Sequence, residues 1–153
     1  MMSGERSDPR IVHVDLGARS YDILIGAGLA ARAGAEMARL MPGARAAIVT
    51  DGHVGALHAA TVAGSLSAAG IAPTVIEIAA GERSKSFDTL QEVVGRVLDA
   101  RLERGDVVVA LGGGVVGDLA GFVSGIVRRG MRFIQMPTSL LAQVDSSVGG
   151  KTG

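Results

Sequence analysis

Short apolar runs rich in Val, Ile and Ala alternate along the chain with longer stretches in which apolar residues recur at three- or four-residue steps. The short runs are typical of buried parallel strands, and the longer stretches are typical of helices with one buried face. Strands are predicted over residues 44–50, 73–79, 106–111 and 132–136. Helices are predicted over residues 28–40, 54–69, 87–102, 115–126 and 139–148. This alternation predicts an α/β fold, a mostly parallel Rossmann-like sheet flanked by helices.

The beginning of the chain follows a different pattern. Residues 11–16 and 21–25 are β-type runs separated by the segment 17–20, which predicts an N-terminal β-hairpin. Residues 1–9 are polar and are expected to form a flexible N-terminus. Residues 10–153 are therefore expected to form one α/β domain. Within it, Ser86 is a suitable N-cap for the helix over residues 87–102.

Composition narrows the class of protein. The 153 residues carry zero formal net charge, which argues against nucleic-acid and membrane-surface partners. The chain has no cysteine and therefore no disulfide or thiolate metal site, and its three histidines lack metal-ligand spacing. The first residues show no signal-peptide pattern and no apolar run is long enough to cross a bilayer, so a cytoplasmic domain is expected.

A glycine-rich turn follows the predicted strand over residues 106–111. Gly112, Gly114 and Gly117 match the G-x-G-x-x-G spacing at a strand-to-helix turn, where backbone N–H groups bind phosphate. The ordinary dinucleotide fingerprint also has an acid about 20 residues on, but the next strand ends in Gln135, Met136 and Pro137 instead. If this turn binds a dinucleotide, the acid for the ribose must therefore come from elsewhere. Packing alone is the alternative explanation for these glycines.

A second glycine motif does not match the complete pattern of a nucleotide-triphosphate loop. Gly150, Lys151 and Thr152 look like the end of a nucleotide-triphosphate loop. That loop needs a glycine five positions before its second glycine, and Asp145 stands there. The triphosphate interpretation is excluded.

Other polar residues follow the predicted strands, and the carboxyl ends of parallel strands share one rim. Asp51 either supplies the missing ribose acid or is a solvated turn residue. Glu82 and Lys85 precede a helix and by themselves indicate an exposed charge pair, worth about 0–1 kcal/mol. Thr138 and Ser139 either cap the last helix or contact a cofactor.

Three strings carry a resemblance to a known family. The strings GGGVVGDLAGFVSGIVRRG and MPTSLLAQVDSSVGGKTG resemble the nucleotide-binding half of the 3-dehydroquinate synthase family, and GERSK at residues 81–85 resembles its GExxK motif. The resemblance covers most of the chain from about residue 10 onward. His53 departs from the family, which often has Asn near this position. The family continues beyond Gly153 into a largely helical, metal-binding domain, so this chain is expected to be the N-terminal, NAD-binding part only.

The resemblance implies a set of site residues. Contacts to NAD are implied for Asp51, Glu82, Lys85, Gly113, Gly114, Val115, Gly117, Asp118, Thr138, Ser139 and Lys151. Arg129, Asp145 and Lys151 fall on the family's catalytic, substrate-pocket positions, where cations suit a phosphate and a carboxylate. Without the resemblance, Arg129 and its neighbours would be interpreted as a solvated basic edge.

The resemblance also implies an activity. The family is a phosphate-eliminating lyase of the shikimate pathway, which serves aromatic amino-acid biosynthesis. It converts the sugar phosphate 3-deoxy-arabino-heptulosonate 7-phosphate to 3-dehydroquinate with NAD and Zn²⁺ or Co²⁺. The metal ligands are expected in residues absent here, the whole protein is expected to be a homodimer, and this fragment alone is expected to be inactive.

Two alternatives remain at this stage. The first is an NAD-dependent polyol or glycerol dehydrogenase of the metal-dependent alcohol dehydrogenase group, which shares the glycine turn but matches DSSVGGKTG poorly. The second is a nucleotide-binding module without chemistry of its own. A preference for NAD over ATP would separate a dinucleotide site from a generic phosphate site.

Overall fold

The computed structural model describes residues 7–147. The predictions for residues 1–6 and 148–153, Lys151 among them, lie outside this part. The strands are β1 (Arg10–Val14), β2 (Tyr21–Ile25), β3 (Arg45–Asp51), β4 (Ala72–Ile78), β5 (Val107–Gly112) and β6 (Arg132–Pro137). The helices are α1 (Leu29–Leu40), α2 (Gly52–Val54), α3 (Ala60–Ala68), α4 (Phe87–Asp99) and α5 (Gly114–Ile126).

Four strands form a parallel sheet in the order β4-β3-β5-β6. The register pairs Ile48 with Val109, and Val109 with Ile134, so that the apolar centres of three strands lie side by side. The strands β1 and β2 form a separate antiparallel hairpin. The predicted α/β fold with an N-terminal hairpin is therefore confirmed.

The helices cover the sheet in two layers, and each layer buries one aliphatic cluster. The first cluster joins Ile48 and Val109 to Met37 of α1 and Leu66 of α3. The second cluster lies on the other face of the sheet, with side chains from α4 and α5. Its members from these helices are Val93, Val97, Val116, Leu119, Ala120 and Val123. Because β3 and β5 are neighbours and the chain leaves them toward opposite faces, their carboxyl ends flank a crevice where such sheets bind ligands.

Three elements differ from the predictions. The helical chain after β3 begins at Gly52 rather than at residue 54, because Asp51 caps it directly, and it contains a π-helical turn, Gly55–Ala59. Helix α4 ends at Asp99, so the prediction that it reaches Leu102 was wrong. Arg101 has a left-handed backbone (φ 57°) that ends the helix, and it lets Leu102 enter the core. The last predicted helix contains a π-helical turn, Ala142–Ser146.

No helix in residues 7–147 is long and apolar enough to cross a membrane.

Candidate functional site

The glycine turn joins β5 to α5. Gly112 is the last residue of β5, Gly113 is the N-cap and Gly114 begins α5. Gly113 has an extended backbone (φ −79°, ψ −163°), and none of these glycines has a positive φ. Backbone conformation therefore does not require glycine here. Because Gly113 offers no side-chain cap, the N–H groups of the first turn of α5 are available to an anion.

The room for a Cβ differs among Gly112, Gly113 and Gly117. A Cβ at Gly112 would stand 2.8 Å from the Cβ of Val116, so packing requires glycine at this position. A Cβ at Gly113 would have its nearest neighbour, Ser139 Oγ, at 3.7 Å, and one at Gly117 would be 3.6 Å from Gln135 Oε1. Those are ordinary contact distances. Packing thus accepts a Cβ at Gly113 and Gly117, so packing does not require glycine at these two positions.

The GERSK loop is tied to α5 by an ion pair. Lys85 Nζ donates a 2.7 Å hydrogen bond to Asp118 Oδ2, one turn into the helix that the glycine turn begins. The hydrogen bond to Asp118 raises the pKa of Lys85, and this effect outweighs the loss of hydration. An unpaired Asp118 would place a negative charge beside the first turn of α5. The ammonium group of Lys85 compensates this charge.

Backbone contacts hold the loop that carries Lys85. Gly81 has φ 106°, and the chain then forms a short 3₁₀ turn, Glu82–Ser84. The buried Ser84 hydroxyl donates a hydrogen bond to the carbonyl of Ala79, and Lys85 N donates to the carbonyl of Glu82 at 3.0 Å. Lys85 therefore leaves a constrained turn, although its head group is partly exposed. Glu82 itself is exposed at the carboxyl edge of the sheet.

Asp51 and Ser139 both cap helical turns. Asp51 Oδ1 accepts hydrogen bonds from the backbone N–H groups of His53 and Val54, both at 2.9 Å. Ser139 Oγ accepts from Ala142 N at 3.2 Å, as predicted for a cap. These contacts account for both side chains in the ligand-free chain. Their contacts to a cofactor stay predictions.

The chain that follows β6 lies at the same carboxyl edge of the sheet. Thr138 N donates to the carbonyl of Gly112 at 3.0 Å, so the chain after β6 is bound to the glycine turn. Val115 lies half-buried in the first turn of α5. Asp145 is exposed on the turn Ala142–Ser146.

Arg129 is a predicted site residue that lies far from the glycine turn. It follows the far end of α5 and precedes the first residue of β6, so it lies at the amino edge of the sheet. A helix of 13 residues is about 20 Å long, and α5 separates Arg129 from the glycine turn by that length. Within residues 7–147 Arg129 has no ion pair and no side-chain hydrogen bond. Arg128 and Arg129 both have left-handed backbones, with φ 53° and 59°.

Sequence reasoning missed the position of Gln135. Its side chain lies beside Gly117 and lines a crevice behind the glycine turn. The residues lining this crevice are Ala110, Gly112, Gly113, Gly117, Gln135, Pro137, Ala142 and Ser147. The available signal was a polar residue inside a strand that is otherwise apolar between Arg132 and Pro137.

Within residues 7–147 no group of three or more His, Asp or Glu side chains is arranged to hold a metal ion. The described residues therefore do not fit a metal centre.

The fold and this rim define a Rossmann-like α/β domain with a glycine-rich turn at the carboxyl edge of its sheet. The family model for the 3-dehydroquinate synthase N-terminal region matches residues 75–153. A 3-dehydroquinate synthase from Mesorhizobium japonicum is 65% identical over 145 residues, which is 95% of this chain and 38% of that protein. The chain belongs to the 3-dehydroquinate synthase family. It spans less than two-fifths of the length of this relative.

Solved structures of other enzymes share the fold. A 2-epi-5-epi-valiolone synthase from Streptomyces hygroscopicus, solved with NAD⁺ and Zn²⁺ bound, superposes with a TM-score of 0.77 and 30% identity. The match covers 92% of this chain and 38% of that one. A 2-deoxy-scyllo-inosose synthase complexed with carbaglucose-6-phosphate, NAD⁺ and Co²⁺ gives a TM-score of 0.79 at 23% identity, over 90% of this chain and 37% of that one. The second likeness shows the fold alone.

Proposed function

We propose that this chain is the NAD-binding part of a 3-dehydroquinate synthase. The observation that carries the proposal is the glycine turn, where packing and backbone conformation leave Gly113 and Gly117 unexplained. A dinucleotide whose diphosphate lies against this turn explains both residues. Family membership and the NAD⁺ bound by the valiolone synthase support the same cofactor.

The residues at the carboxyl edge of the sheet contact different parts of the cofactor in this proposal. The N–H groups of Gly114 and Val115 face the diphosphate, because they begin α5 without a side-chain cap. Lys85 orients and neutralises Asp118, and the carboxylate of Asp118 accepts hydrogen bonds from the cofactor beyond the diphosphate. Asp51 and Glu82 accept hydrogen bonds from ribose hydroxyls, and Thr138 and Ser139 close the neighbouring strand end.

The reaction proposed for the whole protein converts 3-deoxy-arabino-heptulosonate 7-phosphate to 3-dehydroquinate and phosphate. NAD, when bound, supplies a reversible hydride acceptor that makes a substrate hydroxyl carbon a ketone during the cycle. Asp145 and Lys151 orient the substrate beside the cofactor, and the lysine holds an anionic group of the sugar phosphate. The Zn²⁺ or Co²⁺ of the family is proposed to bind residues outside the described part, because the described residues offer no ligand cluster.

Arg129 is proposed to act in a second subunit of a homodimer. It lies at the edge of the sheet opposite the glycine turn, so one chain cannot bring it to its own cofactor site without a large rearrangement. A test uses enzyme of the relatives' full length, with Arg129→Ala on one chain and Lys151→Ala on the other. Mixed dimers should regain activity that neither parent has. Mixed dimers as inactive as both parents would rule out action across subunits.

Isothermal titration calorimetry of the purified 153-residue chain with NAD and with ATP tests the cofactor assignment. Binding of NAD and a much weaker response to ATP is the expected result. Equal affinity for both would favour the generic nucleotide module instead. The dehydrogenase alternative has less support than the lyase, because the 65% identical relative is a 3-dehydroquinate synthase.

A further inference from the structure

Helix α5 is apolar even on the face that points away from the sheet. A helix that covers a sheet ordinarily carries charged and polar residues on that face, as the neighbouring α4 does with its exposed Asp88 and Glu92. A helix that is apolar all round is typical of a position covered on every side. Steps of three and four residues place one set of α5 side chains opposite the buried face, and we call it the outer stripe of α5. The outer stripe consists of Val115, Asp118, Phe122 and Ile126.

The fold of the single chain leaves the apolar part of the outer stripe in water. Phe122 is 43% exposed and Ile126 is 50% exposed. Among the residues that the structure describes, the two aliphatic clusters include neither side chain. Asp118 is the one charged residue of the α5 sequence, and Lys85 compensates its charge. The outer stripe therefore has the chemistry of a contact surface.

Arg129 follows the outer stripe and is held without a partner of its own. It lies three residues beyond Ile126 and is exposed. No described residue forms an ion pair or a side-chain hydrogen bond with it, whereas Arg128 donates to the carbonyl of Leu102 at 2.9 Å. Both arginines have left-handed backbones, and strained conformations of this kind cluster at functional sites. The fold thus fixes the backbone of Arg129 and leaves its guanidinium to a group outside the described part.

Two antiparallel copies of α5 would bring that guanidinium to a glycine turn. The 13 residues of α5 span about 20 Å, which is the length that separates Arg129 from the turn of its own chain. A two-fold axis near Phe122 places Arg129 of one copy opposite Val115, in the first turn of the other copy's α5. Asp118 lies near the start of the stripe and Arg129 beyond its end. Antiparallel pairing therefore brings opposite charges together, whereas parallel pairing would bring like charges together.

We infer that the outer stripe of α5 is a dimer contact, at which the α5 helices of two copies of this chain pack antiparallel about a two-fold axis near Phe122. The inference rests on the proposed function, in which Arg129 acts in a second subunit, and it adds the surface that brings Arg129 there. A second copy fits this surface because the stripe is complementary to itself in charge. One helix length also matches the distance that Arg129 has to cross.

Single cysteines test the geometry, because the wild-type chain has none. Phe122→Cys should form a disulfide-linked dimer on oxidation with copper phenanthroline, since a residue near a two-fold axis faces its own copy within reach of a disulfide. Val115→Cys is the matched control on the same stripe. It lies seven residues from the axis, so its two copies would be about 20 Å apart and should stay unlinked. Non-reducing electrophoresis measures both, in the 153-residue chain and in enzyme of the relatives' full length.

A second variant tests the consequence for activity. In enzyme of the relatives' full length, Phe122→Asp should turn dimers into monomers in sedimentation velocity and lower the rate of phosphate release at least about hundredfold. NAD affinity should stay within about twofold of wild type, because the glycine turn is unchanged. Leu98→Asp, at 42% exposure on α4, is the matched control and should leave the dimer and the activity unchanged. Thermal unfolding verifies that both variants are folded.

The outcomes separate this inference from the function on which it rests. Absence of the Phe122→Cys link at both lengths would overturn the inference. A link in the 153-residue chain but not at full length would overturn it too, because it would assign the stripe to the remaining part of the protein. Equal linking of Val115→Cys and Phe122→Cys would exclude the antiparallel arrangement. A wild-type chain that binds no NAD would overturn the proposed cofactor site, and the linking pattern would still decide the dimer contact.

Discussion

Lys85 and Asp118 meet through a 2.7 Å hydrogen bond across 33 residues of sequence. Lys85 belongs to the loop after β4 and Asp118 to α5, so the pair joins two of the three strings that carry the family resemblance. Both side chains are partly buried, with 32% and 21% of their surfaces exposed. At this exposure the pair contributes only about 0.2–1 kcal/mol to the free energy of unfolding. We therefore expect the Lys85–Asp118 pair to affect ligand binding more than it affects the free energy of unfolding.

Substitution of either member of the Lys85–Asp118 pair should weaken NAD binding without unfolding the chain. The double variant Lys85→Met, Asp118→Asn should lose much less than the product of the two single losses, because each single change leaves the other charge unpaired. Calorimetry on the four proteins measures this coupling. Losses that multiply fully would show that the two residues act independently.

The pH dependence of the same pair has a definite sign. The folded pKa of Lys85 is raised above its ordinary value of 10.5, chiefly by the hydrogen bond to Asp118. The stabilisation is therefore fully present below 10.5 and is lost only as the pH rises through the folded pKa. The stability difference between wild type and Lys85→Met should be constant from about pH 6 to 9. A midpoint in this interval would contradict the pairing.

Gly113→Ala should weaken NAD binding and leave the stability of the fold nearly unchanged. The new Cβ has room in the ligand-free chain, so stability should change little, but it would enter the approach to the N–H groups of α5. NAD affinity should fall at least about tenfold, which corresponds to about 1.4 kcal/mol. Gly125→Ala on the same helix is the control, since its Cβ meets nothing within 4 Å. It should stabilise the helix by about 0.5–1 kcal/mol and leave NAD affinity unchanged.

Asp106 should be the carboxylate on which acid stability depends. Burial would raise its pKa, but hydrogen bonds from the backbone N–H groups of Glu103 and Arg45, together with the Arg45 guanidinium, outweigh burial and lower the pKa. Its stabilisation is therefore present above the unfolded pKa and lost as the pH falls through the folded pKa. Asp106→Asn should cost about 2–3 kcal/mol at pH 7.

Urea unfolding as a function of pH measures this effect. The gap between wild type and Asp106→Asn should stay constant above about pH 5 and shrink below about pH 4. The exposed Asp99, at the end of α4, supplies the control variant Asp99→Asn, which should stay within about 0.5 kcal/mol of wild type. A gap that is unchanged down to the lowest pH at which the protein folds would remove Asp106 from this role.

Thr50→Val should stabilise the chain. Thr50 is fully buried at the end of β3, and its hydroxyl has no hydrogen-bond partner in the described part of the chain. Valine has the same shape without the polar atom, so the unfolding free energy should rise by about 1 kcal/mol. Differential scanning calorimetry checks this, with the exposed Thr61→Val as the control. A lower unfolding temperature would show that the hydroxyl has a partner, such as a buried water.

The 153-residue chain should bind NAD but release no phosphate from the substrate, even with Zn²⁺ added. Its described residues hold no metal-ligand cluster, and Arg129 lies far from the glycine turn. A phosphate-release assay checks this with the chain alone and with the remaining part of the Mesorhizobium japonicum relative. Release only on mixing is the expected result. NAD-dependent release by the chain alone would contradict the division of the site between two parts.

The sequence by itself determined the local elements and the family. Periodicity of apolar residues predicted every strand of the sheet and the positions of the main helices, because strand and helix repeats depend on near neighbours. Ser86 was predicted as an N-cap, and it accepts a hydrogen bond from Thr89 N. Family membership followed from contiguous strings. Boundaries were less accurate where a single backbone angle decided them, as at Arg101.

The tertiary structure decided which distant residues meet. Strand order and register placed Gln135 against Gly117, paired Lys85 with Asp118, and left Arg129 at the opposite edge of the sheet. No local pattern encodes these relationships, because each depends on how strands and helices far apart in the chain pack together. Packing also distinguished the glycines, since Gly112 abuts Val116 whereas Gly113 and Gly117 do not need to be glycine for the fold.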